Sequence, residues 1–90
     1  MAARAWYLYL LECADGSLYT GITVDVAKRF AAHVAGKGGR YTRSHPPRRI
    51  VAVIEFADRS TASIGEYEVK KLSTASKRAL CKRHPPTLPT

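Results

Sequence analysis

The sequence predicts an α+β fold in which a small antiparallel sheet is covered by helices, in the order ββαβαα. Three observations predict it. Two strand-like segments flank the turn residues Ala14-Asp15-Gly16. A helical stripe follows, opening after Thr23 to Asp25 and stopping at Gly36. A Val/Ile-rich stretch from Arg49 to Phe56 then precedes two further helix-like segments.

Each element has its own signal. Ala5 to Cys13 is rich in Trp, Tyr and Leu, and Ser17 to Ile22 returns beside it as a hairpin. A two-residue Asp15-Gly16 loop would set Tyr19 opposite Glu12 and turn it away from Tyr9, because side chains alternate. A three-residue loop gives Gly16 the left-handed position and sets Tyr9 opposite Gly21 and Tyr19 opposite Leu11. The second register, with both hydroxyls on one face, is the one expected. Thr23 or Asp25 caps a helix to about Ala35, with Gly36 ending it. Val26, Phe30 and Val34 are its expected core stripe, with Ala27 and Ala31 beside it. Gly36 to Pro47 reads as a loop, and Arg49 to Phe56 as a strand. Ser60 to Leu72 and Thr74 to Arg83 read as helices. Pro85, Pro86 and Pro89 mark residues 85–90 as a disordered tail behind a single domain over residues 1–84.

Ninety residues hold one modest core. Fifteen Lys and Arg against seven Asp and Glu leave a formal charge of +8. A surplus of that size draws in polyanions, so nucleic acid is the expected partner. Cys13 and Cys81 form no disulfide framework, and His33, His45 and His84 lack zinc-finger spacing from them. Reduced cysteines, no convincing signal segment and no bilayer-length apolar run point to the cytoplasm and away from membranes. There is no Walker motif and no dinucleotide-binding glycine pattern, which argues against a nucleotide cofactor.

The chemistry-bearing residues suit phosphodiester hydrolysis. That reaction needs an activated water, a base, and positive charge on the phosphoryl oxygens. A tyrosine serves as base only when its pKa falls from about 10, which nearby cations favour. Arg29 and His33, spaced i, i+4, project together towards the face expected to carry Tyr9 and Tyr19. Ala62, Glu66, Val69 and Ser73 share a stripe on the next helix, with Glu68, Lys70 and Lys71 on other sides. An inward carboxylate needs a paired charge, such as Arg29 or another cation at the core edge, or a hard metal such as Mg2+ or Mn2+. Lys37, Arg40, Tyr41 and Arg43 interleave cations, glycines and an aromatic in one loop. Arg48, Arg49 and Lys77 extend that patch as candidate nucleic-acid contacts.

Tyr7-Leu8-Tyr9, Tyr19-Thr20-Gly21, Arg29, His33 and Glu66 together resemble the GIY-YIG nuclease family over roughly Trp6 to Leu80. The likeness is nearest to its small stand-alone bacterial branch, and more distant to the N-terminal nuclease domain of the excinuclease C subunit. The resemblance places the third strand in the sheet, completing a three-stranded antiparallel array. It implies that Tyr9 and Tyr19 are the motif tyrosines, Arg29 the helix arginine and His33 the histidine some members carry. Glu66 is then the ligand of a single Mg2+ or Mn2+. It further implies a metal-dependent endonuclease acting in DNA repair or processing, with DNA favoured over RNA and room for a protein partner that supplies specificity. The alternative is a nucleic-acid-binding module that is non-catalytic or activated by a partner. Tyr7 stands for the first motif's glycine, Leu8 for its isoleucine and Thr20 for the second motif's isoleucine. Gly65 replaces a longer residue, and a downstream asparagine is missing, for which Lys77 or Arg78 is expected to substitute.

Overall fold

Alternation along one central strand sets both faces of this molecule. In the computed structural model, which describes residues 4–86, β1 (Trp6–Cys13) lies between β2 (Leu18–Thr23) and β3 (Pro47–Phe56), antiparallel to both. The remaining elements are α1 (Val26–Val34), α2 (Arg40–Ser44), α3 (Arg59–Lys70) and α4 (Thr74–Arg83). Residues 87–90, most of the expected tail, lie outside the described residues.

The hairpin closes as a three-residue loop. Gly16 has φ 84°, its N–H donates to Cys13 O, and the Cys13 N–H donates to Ser17 O. The resulting register pairs Tyr9 with Gly21 and Leu11 with Tyr19. Tyr9, Leu11 and Val26 then pack with Tyr19, Phe30, Ile50 and Val53 on the α1 face. Leu8, Leu10, Ala52 and Val69 pack with Ile54, Phe56, Leu80 and Cys81 on the face covered by α3 and α4.

Three helices are capped by side chains that satisfy free N–H groups: Asp25 for α1, Asp58 for α3 and Ser73 for α4. The cap at Ser73 corrects its place in the α3 stripe, because α3 has already ended at Lys70. In α1 the buried stripe is Val26, Phe30 and His33, not Val26, Phe30 and Val34. Val34 is 59 % exposed and His33 1 %. At about 100° per residue His33 returns to within about 20° of Val26, while Val34 overshoots by about 80°. Ala27 and Ala31 are exposed for the same reason.

The expected Gly36–Pro47 loop contains α2. Gly36 ends α1 at φ 78° and Gly39 starts α2 at φ 138°, so the chain reverses between them. One short turn gives no readable period, and its folding depends on burying Thr42 beneath α1. Gly65 also finds its reason: a Cβ there would stand 2.7 Å from the Phe56 ring. Thr20, opposite Leu10, is buried with no partner for its hydroxyl among the described residues.

Candidate active site

The register brings the tyrosines together, with ring centroids 6.3 Å apart. The ring of Tyr9 lies over Gly21, where any Cβ would strike its hydroxyl end. Glycine is therefore a steric requirement of the second motif. From α1, His33 reaches the same place. The Tyr9 hydroxyl and His33 Nε2 are 2.8 Å apart, and the Tyr19 ring lies edge-on to the imidazole at 5.1 Å. Arg29, one turn earlier, donates from Nη2 to Gly38 O at 3.2 Å and also acts on the Tyr9 hydroxyl.

A residue that sequence reasoning missed completes this cluster. Thr42 Oγ1 lies 2.7 Å from His33 Nδ1, so both imidazole nitrogens have buried partners. Gly38 makes room for it, because a Cβ there would collide with the imidazole. The available signal was local. Thr42 stands between Tyr41 and Arg43, both exposed, and is itself 2 % exposed.

The electrostatics correct one expectation. Burial pushes the Tyr9 phenol up to about 12; Arg29 opposes this, while Tyr19 and, least of all, Glu66 add to it. The cation beside Tyr9 does not outweigh the loss of water. His33 is held below the usual imidazole range, first by burial and then by the Arg29 charge. At neutral pH the pair therefore consists of a neutral phenol and a neutral imidazole.

Glu66 stands apart. Its carboxylate is 23 % exposed at the margin of the stripe formed by Ala62 and Val69, and Oε2 lies 3.3 Å from Lys70 Nζ. The expectation that Lys70 projects to another side of the helix is thus corrected, since i, i+4 places it one turn on, within reach of Glu66. Among the described residues no hydrogen bond or ion pair joins Glu66 to Tyr9, Tyr19 or Arg29, although its charge is felt at Tyr9.

The candidate nucleic-acid contacts divide between two regions. Lys37, Arg40, Tyr41 and Arg43 are exposed around α2, beside Tyr19. Tyr41 is stacked at 5.6 Å on Tyr19 and at 4.1 Å on His45, whose Nε2 lies 3.7 Å from Asp15. Arg48 is exposed on β3. Arg49 is tied to Glu12 at 3.0 Å, and Arg78 of α4 holds the other Glu12 oxygen at 3.1 Å. Arg78 also donates to Gly16 O, so it braces the hairpin. Lys77 is half-buried on α4.

A hairpin carrying two tyrosines on one face, with an arginine–histidine helix laid against it, defines a class of protein that the comparisons identify. The GIY-YIG catalytic domain matches residues 5–79, and the chain belongs to this nuclease family. Its relatives sharpen the placement. A UPF0213 protein of Cupriavidus necator is 53 % identical over 88 residues, covering 98 % of this chain and 96 % of the relative. Another from Xanthomonas axonopodis pv. citri is 45 % identical over 87 residues, covering 97 % and 85 %. The solution NMR structure of the UPF0213 protein BH0048 from Bacillus halodurans has a TM-score of 0.58 at 45 % identity, covering 91 % of this chain and 87 % of that one. It has the same three-stranded α+β fold. Among the described residues no helix is long and apolar enough to cross a membrane.

Proposed function

We propose that this chain is a cytoplasmic, metal-dependent endonuclease that hydrolyses DNA phosphodiester bonds in DNA repair or processing. The observation that carries the reading is the buried Tyr9–His33 hydrogen bond beside Arg29 and Tyr19. A phenol near 12 is a poor base by itself, but one that passes its proton to a neutral imidazole as it takes another from water is a good relay. Tyr9 faces the water, His33 receives the phenolic proton at Nε2, and Tyr19 positions water or phosphate. Arg29 neutralises charge developing on the phosphoryl oxygens.

Among the described residues no three His, Cys, Asp or Glu side chains converge as a metal cage. Glu66 alone fits a Mg2+ or Mn2+ held by one carboxylate, with waters and substrate phosphate completing the shell. Lys70 engages only one of its oxygens, and the side chain is open to solvent. Such an ion would polarise the scissile phosphate and stabilise the leaving oxygen.

The Glu66–Lys70 pair specifically favours a second reading, in which the chain binds nucleic acid and is silent until a partner or substrate frees the carboxylate. Glu66→Gln separates the two. Losing an exposed i, i+4 pair costs about 0.3–0.5 kcal/mol, so the variant should stay folded. Wild type should nick plasmid DNA with Mg2+ and gain thermal stability from Mn2+, and Glu66→Gln should do neither. Cleavage by Glu66→Gln at the wild-type rate would end the metal-nuclease reading. Salt-sensitive DNA binding without cleavage in wild type would establish the second.

A further inference from the structure

We propose that Thr42 is a positioning residue that holds His33 in the one tautomer able to accept a proton from Tyr9. The inference rests on the reading of Tyr9 and His33 as the proton relay. Its geometric basis is a line of three buried groups: Tyr9 hydroxyl to His33 Nε2 at 2.8 Å, and His33 Nδ1 to Thr42 Oγ1 at 2.7 Å. A neutral imidazole carries one N–H and one bare nitrogen, and its partners decide which is which.

The relay sets the direction. To receive the phenolic proton Nε2 must be bare, so the phenol's hydrogen points at Nε2 and the imidazole hydrogen sits on Nδ1, facing Thr42. Nε2 is then the acceptor, and Nδ1–H donates to Thr42 Oγ1. In the proposed step the water oxygen bonds to phosphorus as the P–O bond to the leaving oxygen breaks. An O–H bond of that water breaks with it, and the water proton joins the Tyr9 oxygen. The Tyr9 O–H breaks in turn and its proton joins Nε2, giving imidazolium. Nδ1–H stays on Thr42 throughout, so nothing rotates during the transfer. In the opposite tautomer Nε2 already carries a hydrogen and the relay has no acceptor.

The surroundings leave Thr42 this task alone. The groups facing the pair are Arg29 from α1, Tyr19 from β2 and, through its field, Glu66 from α3; none supplies an acceptor to Nδ1. Gly38 brings the backbone against the imidazole, and α2 turns Thr42 inward while Arg40, Tyr41 and Arg43 face out. The helix expected to meet DNA is therefore also the one that orients the base.

The test compares wild type, Thr42→Val and Thr42→Ser in two measurements. One is nitrogen–proton NMR of the imidazole nitrogens in histidine-labelled protein. The other is the pH profile of kcat for plasmid cleavage with Mg2+. Wild type and Thr42→Ser should show His33 protonated at Nδ1 and bare at Nε2. Thr42→Val, of similar shape but without an acceptor, should show a mixture of tautomers. Its kcat should fall by about tenfold or more, bounded above by the roughly 10²–10⁴-fold that general base catalysis contributes, with KM little changed and Thr42→Ser restoring the rate. Wild-type His33 protonated at Nε2 would overturn the proposal. So would a Thr42→Val protein with an unchanged tautomer and pH profile. If no form cuts DNA, the nuclease reading falls, while the imidazole spectra still decide what Thr42 does.

Discussion

Thr20, opposite Leu10, buries a hydroxyl that finds no partner among the described residues. An unpaired buried hydroxyl costs about 1–3 kcal/mol, and a methyl of the same shape removes that cost. Thr20→Val should therefore raise stability by about 1 kcal/mol, measured as a higher urea midpoint at unchanged m-value. A lower midpoint would show that the hydroxyl has a partner. Thr20 was legible as a departure from the family motif, but its penalty was not, because only the packed face shows what surrounds it. Glu66 gave the converse lesson. Its place on α3 beside Ala62 and Val69 followed from the spacing, whereas its margin position and the engagement of Lys70 did not, since the stripe by itself turns the carboxylate inward.

Among the elements, α2 is where local pattern gave least and the structure most. Its few residues carry Arg40 and Arg43 outward and Thr42 inward. Tyr41 is already stacked on Tyr19 and on His45, so a base stacking on it competes with those rings. Phosphate contacts are thus the main nucleic-acid role left to α2. Arg40→Glu with Arg43→Glu should weaken duplex DNA binding at all sequences. The slope of log affinity against log salt should become shallower by about 2, roughly one for each lost contact. Fluorescence anisotropy across a salt series checks this, and an unchanged slope would remove α2 from the interface. By contrast, α1, α3, α4 and the hairpin were readable, because the α1 cap, helical periodicity, a positive-φ glycine and strand alternation each act within a few residues.

For the whole molecule, two of the buried titratable groups, His33 and Tyr9, narrow the pH range of stability from both sides. His33 is depressed, so the unfolded chain binds more protons below its ordinary value of about 6.5. Its contribution is complete above that value and is lost as pH falls towards the folded value. Tyr9 is raised to about 12, so its contribution is complete below about 10 and is lost as pH rises through 12. Melting temperature should decline on both flanks, and His33→Gln should lack the first acid limb. A wild-type melting temperature that stays flat below pH 6.5, about the free imidazole value, would contradict the buried neutral imidazole.

By itself the sequence determined the hairpin and its register, three of the helices and the cap of α1, the basic surface, and the residue types that mark the family. All of these follow from interactions between near neighbours or from net charge. The caps at Asp58 and Ser73 came from the structure. Only the tertiary structure decided that His33 rather than Val34 is buried, that Tyr9 hydrogen-bonds His33, and that Thr42 closes the line. Those contacts join residues of β1, α1 and α2, far apart along the chain. Their protonation depends on how much water is excluded, a quantity that exists only once the elements have packed.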